Sequence, residues 1–219
     1  MPQRSDARLA ELIATQVLPR FPGQSVLDVG CGDGVVSESL PDSCQYNGLD
    51  IYDACIYEQR HDDPNVHYVQ SDQIPSLMQR EGPWDTVLLL DVIEHTRCFT
   101  PLFELALQRA RQQVVVSLPN ELFVLDRLRM LRGHELNAHS LELVDRPEGF
   151  KHQFIINIDK ARSLLTRRAE ALGFSLTEEV LRPLISKHLL ARPTFWGLRH
   201  LSSDQLWSMG SVFIFQKSA

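Results

Sequence analysis

The stretch richest in chemistry is Val26-Leu27-Asp28-Val29-Gly30-Cys31-Gly32-Asp33-Gly34. An apolar run ends, three glycines follow at alternate positions, and the chain must turn. Glycine adopts backbone angles closed to other residues and lets a ligand approach the main chain. The spacing is GxGxG, and Val35 stands where the dinucleotide fingerprint GxGxxG has its last glycine. Asp28 would repel a pyrophosphate and suits a cationic ligand instead. Asp50, twenty residues beyond Gly30, can accept hydrogen bonds from ribose hydroxyls. Asp72 follows a third apolar run, where it is placed for the amino group of a base. Competing readings are an ordinary strand–helix loop for the glycines, a helix cap for Asp50, and turn residues for Asp72 and Gln73.

Asp91, Glu94 and His95 form a second cluster, and His152 stands within Gly149-Phe150-Lys151-His152-Gln153-Phe154. An imidazole near its natural pKa can orient an acceptor or take its proton, so His95 and His152 are the candidate catalytic residues. The alternatives are acids decorating a helix start and a buried, hydrogen-bonded histidine. Two carboxylates and two imidazoles can also bind a divalent ion, but no metal site is assigned. His134 and His139 read as surface residues of an insertion. Arg127, Arg129 and Arg132 read as a solvated helix face, or as a grip on an anionic acceptor group. Trp196 and Trp207 read as packing residues.

The elements that must position these residues alternate. Helical spacing of Leu9, Leu12, Ile13 and Val17 predicts a helix within residues 1–22. Strands are predicted at Ser25–Val29, Asn47–Ile51, His67–Gln70, Thr86–Leu90 and Val114–Leu118. Helices are predicted from the glycine turn to Leu40 and over Leu102–Ala110. Such alternation implies an α/β fold with a mostly parallel sheet and helices on both faces. The rhythm breaks over 121–150, which reads as an insertion capping the sheet's C-terminal edge. Ile158–Leu172 is helical again, with Gly173 as its cap. Strands at Ser175–Leu181 and Val212–Gln216 flank a variable connection, 183–211.

Composition bounds the rest. The chain has 219 residues, 43% hydrophobic and 23% charged, which suits one domain with a real core. A net charge of −6 gives no uniformly basic footprint, so nucleic acid is not an expected partner. Four cysteines without CxxC spacing argue against a disulfide scaffold. No apolar run approaches the ~20 residues of a membrane span, and a cytoplasmic location is expected.

In order, Leu27 to Gly34, Gly48-Leu49-Asp50, Ser71-Asp72, Asp91-Val92-Ile93-Glu94-His95 and Ser117-Leu118-Pro119-Asn120 resemble the motifs of class I S-adenosylmethionine-dependent methyltransferases. The resemblance covers roughly residues 24 to 182. The last two motifs are similar to those of a branch acting on quinones, sugars and other small metabolites. It implies a Rossmann-like, seven-stranded sheet whose last strand is antiparallel and inserted between two others. It implies S-adenosylmethionine as cofactor and a small-molecule acceptor, methylated on oxygen. Asp28, Gly30, Gly32 and Gly34 would hold the methionine moiety and Asp50 the ribose. Asp72 and Gln73 would flank the adenine, and Asp91 would sit beside the sulfonium. Cys31 and Val92, within the same motifs, and Ile51, next to Asp50, are assigned to the cofactor site with them. Asp91, Glu94, His95 and His152 also resemble the ligand set of metal-dependent RNA 2′-O-methyltransferases, which gives one alternative function. A regulatory module that binds the cofactor without turnover is another.

Overall fold

The structure, a computed structural model, describes residues 9, 12–17, 23, 25–51, 64–146, 149–183 and 204–218. Seven strands form one sheet: β1 (Ser25–Val29), β2 (Gln45–Ile51), β3 (Val66–Val69), β4 (Trp84–Leu90), β5 (Ala110–Pro119), β6 (Phe174–Pro183) and β7 (Ser208–Lys217). Their order is β3-β2-β1-β4-β5-β7-β6. The first five pair in parallel, and β7 runs antiparallel between β5 and β6. The expected topology is therefore present, including the inserted last strand.

Side chains alternate between the two faces of each strand. Val87 and Leu89 of β4, Val114 and Val116 of β5, and Phe213 and Phe215 of β7 enter one core. Leu88, Val115, Val212 and Ile214 enter the other. Both faces are thus apolar, which is why these strands read as continuous hydrophobic runs. Three helices cover the first face: α1 (Ile74–Arg80), α2 (Phe99–Arg109) and α4 (Ile158–Glu170). Phe103, Ala106 and Leu107 of α2 are buried there, as helical spacing requires. Asn157 caps α4 by accepting from the Lys160 N–H at 3.0 Å.

The second face is covered more thinly. Leu9, Ile13 and Val17 pack there, with Ile13–Val17 wound as one wide π-helical turn. The remaining residues of the expected 1–22 helix lie mostly outside those described. After the glycine turn the short helix expected before Pro41 forms as a 3₁₀ segment, Val35–Ser39. Its five residues leave room for little more than one turn before Pro41. A further helix, α3 (Val124–Leu131), follows β5 inside the insertion and carries Arg127 and Arg129, which read as a solvated helix face. It buries no residue, and its Leu125, Leu128 and Leu131 are exposed. Of the connection 183–211, residues 184–203, Trp196 among them, lie outside those described.

Candidate functional site

The strand order reverses between β1 and β4, and in open α/β sheets ligands bind outside the strand ends at that point. A cavity of about 840 Å³ opens there. Asp28, Gly30, Cys31, Asp50, Ile51, Asp91, Val92, His95 and His152 all line it. Residues far apart in the chain are brought to one wall because β1, β2 and β4 end together.

The glycine turn is built as a cradle. Gly30, Gly32 and Gly34 all have left-handed φ values, 75°, 58° and 74°. A Cβ on Gly30 would lie 2.2 Å from Val92 Cγ2, so only glycine fits. Gly32 and Gly34 do not line the cavity but shape the loop. The Gly32 N–H donates to Asp50 Oδ2 at 2.5 Å, the Ile51 N–H donates to Asp50 Oδ1 at 2.6 Å, and the Tyr68 hydroxyl donates to the Gly32 carbonyl. Burial pushes the Asp50 carboxyl up, and those two N–H groups pull it back down.

Asp28 is 1% exposed. Its Oδ2 accepts from the Tyr46 hydroxyl at 2.9 Å, and its Oδ1 has no hydrogen-bond partner. Burial raises its pKa to about 7, against the lowering effect of Tyr46 and with a further push from Asp50. A buried carboxyl with an unpaired oxygen on a cavity wall suits a cationic group, which would supply the missing partner. The residues present therefore fit a cationic nucleoside: a cradle of main chain, an orphaned acid and a second acid at the end of the next strand.

Asp72 and Gln73 stand off the cavity wall. Both are exposed. The Gln73 amide oxygen turns back to accept from the Gln70 N–H at 3.1 Å and Gln73 caps α1. From this turn Ser71 and Ile74 line the cavity instead.

Past β4 the second cluster assembles. Asp91 has φ 53°, unusual for a residue with a side chain. Two neighbours hold it there. Ser117 donates to Asp91 Oδ1 at 2.6 Å, and Arg182 Nη1 reaches both carboxylate oxygens at 2.8 Å. Arg182 comes from β6 and must cross β7, which is possible because Gly210 lies between, paired to Pro119 and to Arg182. Ser117 stands in a motif read from the sequence but without a role there, and Arg182, 91 residues from its partner, was not singled out.

His95 Nδ1 lies 3.2 Å from the Lys151 carbonyl. A carbonyl only accepts, so Nδ1 carries the proton and Nε2 keeps a lone pair. Burial first, then the neighbouring His152, lowers the His95 pKa and keeps the ring neutral near pH 7. The two rings meet edge to face with centroids 4.7 Å apart. Glu94 is 1% exposed with both carboxyl oxygens unpaired. Burial, then the Asp91 charge, pushes its pKa well up. Glu94, His95 and His152 each offer a ligand atom within 4.8 Å of the others.

His139 is not a bare surface residue. Its Nε2 lies 2.8 Å from Glu121 Oε1, and His152 Nδ1 lies 2.9 Å from the same oxygen. The insertion folds back to bring it there. Glu121 was overlooked because nothing but its place directly after Pro119-Asn120, at the end of β5, marks it. Arg127 and Arg129 point elsewhere: Arg127 Nε donates to the Leu122 carbonyl and Arg129 to Asn137 Oδ1. Neither lines the cavity.

Residues 3–179 match the family model described as a methyltransferase domain. A ubiquinone biosynthesis O-methyltransferase of Nitrosospira multiformis is 31% identical over 81 residues, covering 35% of this chain and 34% of that protein. The match thus spans only about a third of the curated relative's length. The fold is shared with a SAM-dependent methyltransferase from Archaeoglobus fulgidus (TM-score 0.60, 17% identity, 95% and 94% of the two chains). It is shared also with the magnesium protoporphyrin IX methyltransferase of Synechocystis, solved with S-adenosylhomocysteine bound (TM-score 0.59, 16% identity, 97% and 83%). Among the described residues no helix is long and apolar enough to cross a membrane.

Proposed function

The chain belongs to the methyltransferase-domain family, class I enzymes that use S-adenosylmethionine, and from that premise we propose that it methylates an oxygen of a small-molecule acceptor. The single observation that carries this reading is the shared cavity. Cofactor-type residues and His95 line it together, and the bond from His95 Nδ1 to the Lys151 carbonyl leaves Nε2 with its lone pair.

When bound, the cofactor supplies an electrophilic methyl group. Asp28 and the Gly30 turn would hold its cationic part, and Asp50 would accept from the ribose hydroxyls. Asp91, fixed by Ser117 and Arg182, would add a negative charge to the same wall. His95 Nε2 takes the proton of the acceptor hydroxyl as attack proceeds. His152, tied to Glu121 through Nδ1, orients the acceptor against His95. Gly149, the described residue of 121–150 that lines the cavity, would help to exclude water there. Holding the acceptor hydroxyl against His95 would lower the entropic part of the barrier.

The name of the Nitrosospira relative supports oxygen as the target and a quinone precursor as the class of acceptor to try first. Titration calorimetry should show S-adenosylmethionine bound and NAD not bound. Radiolabelled cofactor should then transfer methyl to a catechol from a panel of catechols, sugars and oligonucleotides. Binding of NAD alone would overturn the cofactor assignment. Transfer only to an oligonucleotide would overturn the acceptor class. Retention of cofactor without transfer to any component of a cell extract would point to the regulatory module.

A further inference from the structure

We infer that Glu121, His139 and His152 form a binding site for one divalent transition-metal ion that clamps the insertion to the sheet.

Three segments converge on this point. Glu121 follows β5, His139 ends a 3₁₀ turn (Asn137–His139), and His152 closes the insertion. Both imidazoles direct a nitrogen at the same carboxylate oxygen, at 2.8 and 2.9 Å, and all three ligand atoms lie within 4.8 Å of one another. Metal–ligand bonds of ~2.1 Å place adjacent donor atoms ~3.0 Å apart at octahedral angles and ~3.4 Å at tetrahedral ones. The two nitrogen–oxygen separations lie close to the first spacing, and the two imidazole nitrogens lie within 4.8 Å of each other. Two imidazoles and one carboxylate favour zinc, cobalt or iron over magnesium or calcium. The carboxylate is itself held, since the Ile156 N–H donates to its other oxygen at 2.8 Å. The His152 N–H donates to the Ala138 carbonyl at 3.1 Å, which ties two ligand segments together. Such outer contacts orient metal ligands.

Hydrogen bonds alone would also satisfy these atoms. What they leave unexplained is how the insertion stays ordered. Among the described residues of 121–150 only Glu121 and Leu136 are buried, and α3 buries none. A segment with so little core gains its order from a cross-link, and a metal clip closing 31 residues between Glu121 and His152 is one. The site adjoins the cavity without being in it. His152 lines that cavity; Glu121 and His139 do not. With Nδ1 on the ion, His152 keeps its proton on Nε2 and acts as a donor toward the acceptor, while His95 remains the base.

The test uses the full-length, tag-free chain, stripped with a chelator and titrated with Co²⁺, then with Zn²⁺ in competition. One ion should bind per chain, with visible absorption bands from the nitrogen and oxygen ligands. Added metal should slow tryptic cleavage around Arg127, Arg129 and Arg132. His139→Ala and Glu121→Gln should weaken binding at least roughly tenfold, with His139→Asp recovering part of it. His95→Ala should leave binding within about twofold, because His95 lies outside the proposed set. Absence of stoichiometric binding by the unmodified chain overturns the proposal, whatever the variants do. So does loss of binding in His95→Ala with retention in His139→Ala, which would place the ion against Glu94.

Discussion

Asp28 carries a measurable consequence of its burial. Its folded pKa, about 7, lies above the ~3.9 of an exposed carboxylate. The folded chain therefore holds a proton that the unfolded chain releases between those values. Stability is fully present below pH ~4 and declines as pH rises through 7, by an amount on the order of a few kcal/mol. Urea midpoints at pH 5 and pH 8 should show that decline, and Asp28→Asn should flatten it. A cationic ligand reverses the preference, because it favours the ionised form. Calorimetry near pH 6.5 in two buffers of different ionisation enthalpy should show proton release on cofactor binding. Asp28→Asn should abolish the release. His95 makes a different prediction. His95→Ala should cut methyl transfer by about 10²–10⁴-fold and leave S-adenosylhomocysteine affinity within about threefold. An equal fall in both would assign His95 to cofactor binding. Of these residues, Asp28, Asp50 and His95 were legible in the sequence because each stands at a fixed offset from a strand end. Tyr46, the hydroxyl on Asp28, was not, since an aromatic in a strand ordinarily signals packing alone.

At the scale of elements, the β6–β7–β5 edge reaches into the site through a missing side chain. A Cβ on Gly210 would lie 2.5 Å from the Leu118 carbonyl and 3.3 Å from Arg182 Nη1. Gly210→Ala and Arg182→Met should each destabilise the fold by about 1–3 kcal/mol, read from urea midpoints. Both should weaken the constraint on Asp91, whose left-handed backbone costs about 1–2 kcal/mol and persists only while its surroundings fix it. A crystal structure of Arg182→Met with Asp91 unmoved would refute that dependence. Strands were easy to locate in the sequence because both faces of the sheet are apolar. Contacts such as Arg182 with Asp91 were invisible, because they depend on which strand inserts where and not on any local pattern. The short helix expected after the glycine turn forms as a 3₁₀ segment, because Pro41 leaves room for little more than one turn.

For the whole molecule, stability resides in the sheet and its helices. Phe103, Phe213 and Phe215 are fully buried in one core, and Phe103 meets Phe215 edge to face at 5.4 Å. Phe213→Ala should cost about 3–5 kcal/mol, visible as a lowered urea midpoint. Leu131→Ala, at a residue 83% exposed, should change it by less than about 0.5 kcal/mol. The fold class followed from strand–helix alternation, a property of the entire chain. The insertion's interior did not follow, because order there comes from polar side chains meeting across long separations.

That division of labour has a consequence for ancestry and engineering. The insertion is a strip with almost no share in the molecule's folding energy, and of its described residues only Gly149 reaches the cavity wall. Mutations can accumulate in it without threatening the scaffold or the cavity. Exchanging residues 122–138 between relatives, while Glu121, His139 and His152 stay in place, should accordingly leave cofactor affinity nearly unchanged.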